Sequence, residues 1–114
     1  PQWGGEVRPG NNLYDNSVVA LDLKTGRIRW HYQLVHHDIW DYDMPPHPIL
    51  IDVSVDGRPV KAVVQLSKQA FAYAFDRTNG RPLWPIEERA VPQSDAKGEW
   101  TATTQPFPTK PPAF

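Results

Sequence analysis

The sequence predicts an all-β fold, and three observations carry that prediction. Apolar residues recur with period two through much of residues 17–84, the spacing that sets alternate side chains on one face of a strand. Gly-containing turn sequences punctuate those runs. A short pattern also occurs twice, 54 residues apart: Ala20-Leu21-Asp22-Leu23-Lys24-Thr25-Gly26-Arg27-Ile28-Arg29-Trp30 and Ala74-Phe75-Asp76-Arg77-Thr78-Asn79-Gly80-Arg81-Pro82-Leu83-Trp84 share Ala, Asp, Gly and Trp at identical offsets. Fixed-period similarity marks a repeat architecture, in which each unit needs neighbours to bury its apolar faces.

Taken in order, residues 17–23 form a short β-rich run that turns at Lys24-Thr25-Gly26 into residues 27–34, where Ile28, Trp30, Tyr32 and Leu34 share a face. Residues 49–55 place Ile49, Ile51, Val53 and Val55 together, and Asp56-Gly57 supplies a hairpin dipeptide tolerant of positive φ. The returning strand, about 59–66, carries Val60, Ala62, Val64 and Leu66 on one side. A further run at 70–76 sets Phe71, Tyr73 and Phe75 against Ala70, Ala72 and Ala74, and a fourth, shorter strand follows Asn79-Gly80 and ends near Trp84. No segment has a convincing helical period. Residues 85–114 contain six of the thirteen prolines and read as an extended connection over the surface.

Four antiparallel strands between 49 and 84 make one meander sheet, and the pair at 17–34 makes the last two strands of the sheet before it. A four-stranded meander repeated at this period is the mark of a β-propeller blade. The expected organisation is therefore the end of one blade at 1–34, a loaded loop at 35–48, one blade at 49–84 and a Pro-rich connection at 85–114. That is about one and a half blades of a longer propeller, an expectation that fits a chain opening on Pro1-Gln2-Trp3-Gly4-Gly5 rather than Met.

Composition bounds the function. A net charge of −1 with mixed signs gives no electrostatic footprint for nucleic acid or an anionic membrane surface. No apolar stretch is long enough to span a bilayer. The absence of Cys removes disulfides and thiolate metal sites. Five Trp favour packed aromatic layers.

The chemistry is concentrated in His36-His37-Asp38-Ile39-Trp40-Asp41-Tyr42-Asp43, too polar and aromatic for an ordinary linker. In a meander, the connection into the first strand and the turn between the second and third strands lie at one end of the sheet. The loop 35–48 and Ser67-Lys68-Gln69 therefore share a rim, while Thr25-Gly26, Asp56-Gly57 and Asn79-Gly80 share the other. Asp41 and Lys68, 27 residues apart, are thus able to meet as a base and a polarising cation.

These residues resemble a known family. Ala-x-Asp-x-x-Thr-Gly-x-x-x-Trp is similar to the tryptophan-docking motif of the quinoprotein dehydrogenases, eight-bladed propellers that bind pyrroloquinoline quinone (PQQ). Val35-His36-His37-Asp38-Ile39-Trp40-Asp41-Tyr42-Asp43-Met44-Pro45 resembles the catalytic segment of the membrane glucose-dehydrogenase branch, and Gln2-Trp3-Gly4 and Thr104-Gln105-Pro106-Phe107 sit where that branch has similar segments. The resemblance implies Asp41 as the base that takes the hydroxyl proton of an aldose or alcohol while the carbon-bound hydrogen leaves as hydride to the quinone. It implies Lys68 as a donor to the quinone oxygens, and Ca²⁺ or a similar hard cation held by Asp41 and the cofactor, with Asp43 as a further carboxylate ligand. It also implies electrons passed to a respiratory quinone, a periplasmic location with a possible inner-membrane anchor, and further site residues outside this chain, which alone is expected to turn over no substrate. Read on residue type alone, Asp22 and Asp76 are turn-capping carboxylates, Trp30 and Trp84 pack between blades, Asp41 is a solvated loop acid, Lys68 is a hairpin charge, and the alternative for Asp43 is hydrogen bonding within the loop. Of His36 and His37, one is expected to hydrogen-bond loop backbone and the other to line a pocket. Two other classes remain open at this stage: a non-catalytic propeller scaffold, and a carbohydrate-binding repeat using Trp40 and Tyr42 as stacking platforms.

Overall fold

The computed structural model describes residues 4–114; Gln2 and Trp3 of the Gln2-Trp3-Gly4 segment lie outside the described residues. Three antiparallel sheets follow one another along the chain, with one 3₁₀ turn at Gly5–Val7. Strands β1 (Ser17–Leu21) and β2 (Ile28–Gln33) form the first. Strands β3 (Ile49–Val55), β4 (Arg58–Leu66) and β5 (Ala72–Asp76) form the second, in the order β3-β4-β5. Strands β6 (Ile86–Ala90) and β7 (Thr104–Pro108) form the third.

The two repeats close by the same device. Asp22 Oδ1 accepts from the amides of Lys24 and Thr25 and from the Thr25 hydroxyl, at 3.0, 2.9 and 3.0 Å. Asp76 Oδ1 accepts from the Thr78 amide and hydroxyl at 2.8 and 2.6 Å, and Oδ2 accepts from the Asn79 side-chain Nδ2 at 3.0 Å. Each turn ends on a glycine of positive φ, Gly26 at 69° and Gly80 at 77°, a region where glycine carries no Cβ penalty. Each of those glycine amides donates at 2.8 Å to the carbonyl of the turn's Asp.

Cross-strand register explains the two apolar faces of the second sheet. Leu50, Val63 and Phe75 lie opposite one another, as do Gln65 and Tyr73. This face meets the first sheet: Val18, Leu34, Val63, Tyr73 and Phe75 make the core, with Trp30 and Tyr32 against it. Tyr32 and Phe75 have ring centroids 5.0 Å apart. The residues that periodicity groups within β3 (Ile49, Ile51, Val53) and β4 (Ala62, Val64) turn the other way, and the register sets Ala72 and Ala74 of β5 beside them. Ile49 and Ile51 on that face are exposed, at 43% and 39%. A sheet apolar on both sides is made to be sandwiched between two others.

Two expectations change. The fourth strand of the meander is reduced to an isolated bridge between Phe75 and Pro82, flanked by Asp76 N–Arg81 O and Leu83 N–Ala74 O bonds of 2.8 and 2.9 Å. Pro82 has no amide to extend a ladder. The connection at 85–114 is also not wholly irregular, because it contains the β6–β7 pair. Spaced two apart, Pro106 and Pro108 lose their amides on one edge of β7. The opposite edge carries the ladder, as the Val91 N–Thr103 O and Thr109 N–Pro85 O bonds at its ends indicate. Tyr73, fully buried, donates its hydroxyl to Pro106 O at 3.0 Å and ties this pair to the second sheet. Burial pushes that phenol well above the usual tyrosine range.

Candidate active site

The segment after β2 is held from three sides. Gln105, 2% exposed on β7, brackets His36: its Oε1 accepts from the His36 amide at 2.8 Å and its Nε2 donates to the His36 carbonyl at 2.7 Å. Arg8 Nη2 donates to Asp38 O at 2.7 Å. Gln65 Nε2 donates to Pro46 O at 2.9 Å, fixing the far end of the loop to β4. The two histidines part company. His36 lies between Gln33 Oε1 and Glu88 Oε1, at 2.7 and 3.0 Å, and lines a hollow with Asn11, Leu13, His31, Tyr32, Gln33 and Glu88. His37 is fully buried, stacked on Trp100 with centroids 3.5 Å apart and with Nδ1 3.0 Å from Gly10 O.

Asp38 organises the middle of the loop. It is 3% exposed, and its carboxylate takes the Trp40 amide on Oδ1 at 2.9 Å and the Tyr42 amide on Oδ2 at 2.9 Å. The Asn16 side chain donates to Oδ2 as well, at 2.8 Å. Between those two amides sits Asp41, with a φ of 63°, a conformation that strains a residue bearing a Cβ. Trp40 and Tyr42 stack on each other, centroids 5.5 Å apart, and help line a cleft of ≈ 310 Å³ with Phe71 and Phe107. They are therefore not two separate platforms.

Asp41 and Asp43 turn the other way, to one point. Lys68 reaches it from the β4–β5 turn, with Nζ 2.9 Å from Asp41 Oδ2 and 2.6 Å from Asp43 Oδ2. The Lys68 amide also donates to Asp43 O at 3.1 Å, so backbone as well as side chain joins turn to loop. Hydrogen bonds from the ammonium to Asp43, and then to Asp41, raise Lys68 above the usual lysine range. The Asp41 and Lys68 side chains are about one-third and two-fifths exposed, at 33% and 41%, so the clasp opens to solvent. The arrangement offers a carboxylate able to take a proton beside a donor able to offset growing negative charge. It also offers two hard oxygen donors converging on one positive charge, the donor chemistry of Ca²⁺. Among the described residues no group of three His, Cys, Asp or Glu is placed to hold a metal.

Sequence topology brought Asp41 and Lys68 to one rim, and the structure places them in contact. It missed Asp38 and Gln105 as the residues that shape the loop. Asp38 had a readable signal, since Asp side chains commonly take the amide two residues on. Gln105 had none, being 69 residues from His36.

Comparison with known proteins agrees with this fold. The family model for glucose/ethanol/alcohol dehydrogenase, β-propeller domain, matches residues 1–114. The quinoprotein glucose dehydrogenase of Escherichia coli K12 is 42% identical over 105 residues, which cover 92% of this chain and 13% of that protein. Among solved structures, the quinohemoprotein alcohol dehydrogenase of Comamonas testosteroni superposes with a TM-score of 0.67 at 35% identity, covering 96% of this chain and 16% of its own. A europium-containing methanol dehydrogenase superposes with a TM-score of 0.67 at 28% identity, covering 94% of this chain and 18% of its own. The chain thus spans less than a fifth of the length of these relatives. With paired strands in successive sheets, a Trp docked between them and a match over its whole length, this chain belongs to the PQQ glucose/ethanol/alcohol dehydrogenase β-propeller family.

Proposed function

We propose that this chain supplies part of the active-site rim of a PQQ-dependent dehydrogenase that oxidises an aldose or an alcohol. The observation that carries the reading is the clasp of Lys68 on Asp41 and Asp43, at 2.9 and 2.6 Å, at the end of the sheets where two connections meet. Asp41 is the base: partly exposed and held in place by its neighbours, it accepts the proton of the substrate hydroxyl. When bound, PQQ supplies the acceptor for the hydride that leaves the substrate carbon. Lys68 would hold anionic oxygens of the cofactor, its ammonium offsetting negative charge there. Asp41 and Asp43 would contribute carboxylate oxygens to Ca²⁺ or a similar cation, with further ligands from elsewhere in the protein. The glucose dehydrogenase and alcohol dehydrogenase relatives support the substrate class. A respiratory quinone as onward electron acceptor, a periplasmic location and the lack of turnover by the isolated 114-residue chain complete the reading.

Asp41→Asn, made in the protein that carries this chain, is the test. Turnover of glucose or ethanol is expected to fall by about 10²–10⁴-fold, with PQQ still bound by calorimetric titration. An Asn variant with unchanged kcat overturns the assignment of the base.

A further inference from the structure

We infer that Asp38 is the positioning residue for Asp41, holding the base in its left-handed conformation through the two amides that flank it. This rests on the reading of Asp41 as base. Three donors converge on one buried carboxylate: the Trp40 amide on Oδ1, and the Tyr42 amide and Asn16 Nδ2 on Oδ2, at 2.9, 2.9 and 2.8 Å. An ionised carboxylate only accepts, so it satisfies all three at once. The two backbone donors are the amides of residues 40 and 42, so one carboxylate pins both ends of the two-residue span Trp40-Asp41. With both ends of that span held, Asp41 is kept at a φ of 63°, a left-handed conformation that a residue bearing a Cβ adopts at some cost. The outcome is a loop whose odd positions, Asp41 and Asp43, face Lys68, while Trp40 and Tyr42 stack away from it. Asp38 is itself anchored. Arg8 donates to its carbonyl at 2.7 Å, and the Gln105 bracket on His36 lies two residues before it.

The decisive substitution is Asp38→Asn, which keeps shape and replaces one acceptor oxygen with a donor. Whichever way the Asn amide turns, one of the Trp40 and Tyr42 amides then faces an NH₂ group. Asn16→Gly is the comparison variant. It removes the third donor, leaves both flanking amides their acceptors, and suits the φ of 43° at that position. In the full protein loaded with PQQ and Ca²⁺, Asp38→Asn is expected to lower kcat by about 10²-fold with KM within a few-fold, because small misplacements of a reacting group carry that effect. It is also expected to speed amide hydrogen exchange at residues 40–42. Asn16→Gly is expected to lower the melting temperature while keeping kcat within a few-fold. Asp38→Asn with unchanged kcat and unchanged exchange overturns the proposal. So does a loss of activity in both variants that simply tracks stability. Wild-type protein without dehydrogenase turnover would instead overturn the reading of Asp41 as base, and the exchange rates at residues 40–42 would then decide the role of Asp38 by themselves.

Discussion

Trp30 and Gly80 meet across the two repeats. The indole lies so close over the glycine that a Cβ there would sit 2.6 Å from Trp30 Cδ2. The indole nitrogen donates at 3.0 Å to Arg77 O in the same turn. The Trp of one repeat therefore reads the Gly of the next, and the shared pattern is a lock between successive sheets rather than two copies of a hairpin. Arg77 extends the lock inward, since its Nη1 reaches Ile51 O and Ala62 O at 3.0 and 3.2 Å, on the neighbouring strands β3 and β4.

Gly80→Ala should accordingly destabilise the protein far more than Gly26→Ala. Both glycines have positive φ, 77° and 69°, so both variants carry the backbone strain of about 1–2 kcal/mol. Only Gly80 has neighbours within 4 Å of a new Cβ, all three nearest being Trp30 ring atoms; Gly26 has none. Displacing the ring adds an overpacking cost of about 1–3 kcal/mol. Denaturant unfolding of the two variants reads the difference, and equal losses would mean that the ring is free to move aside.

The Asp turns predict an acid response. Asp22 is held below the usual carboxylate range chiefly by the Thr25 amide, and Asp76 chiefly by the Thr78 hydroxyl. Folding then favours the charged form. The contribution is complete above the ordinary Asp value of about 3.9, and it is lost as pH falls through the depressed folded values. Both groups are well hydrated, so the effect is small. The double variant Asp22→Asn/Asp76→Asn should have a lower melting temperature at pH 7 and a shallower decline between about pH 5 and pH 2. Parallel melting curves in wild type and variant would remove the two carboxylates from the acid response.

How much of this was legible depends on how local the cause is. Strands β1 to β5 follow from period-two patterns bounded by Asp-Gly, Thr-Gly and Asn-Gly turns, and those patterns act within a few residues. The β6–β7 pair was hidden because prolines ordinarily argue against a ladder. Only the two-residue spacing of Pro106 and Pro108 lets one edge pair, and Ile86-Glu87-Glu88-Arg89-Ala90 has little apolar alternation. At the site, the meeting of Asp41 with Lys68 is topological and could be reasoned out. The bracket of Gln105 on His36 and the stack of His37 on Trp100 arise from tertiary packing between distant segments, which no local pattern encodes.

Lys68 yields the last prediction, because its ammonium fills the point where two carboxylate oxygens converge. A cation drawing on Asp41 and Asp43 must displace at least one of those hydrogen bonds. In the cofactor-free protein, Lys68→Met removes the competing charge and leaves two acids facing each other, which like-charge repulsion disfavours. Terbium luminescence titration should then give a few-fold tighter binding in Lys68→Met than in wild type, the modest size reflecting how weak exposed ion pairs are. With Asp43→Asn added, the gain should disappear, since one of the two acids no longer carries charge. Titration with PQQ should move in the opposite sense, Lys68→Met binding it more weakly than wild type. If terbium affinity is unchanged by Lys68→Met, the two carboxylates do not serve as cation ligands and their role reduces to holding the Lys68 turn against the loop.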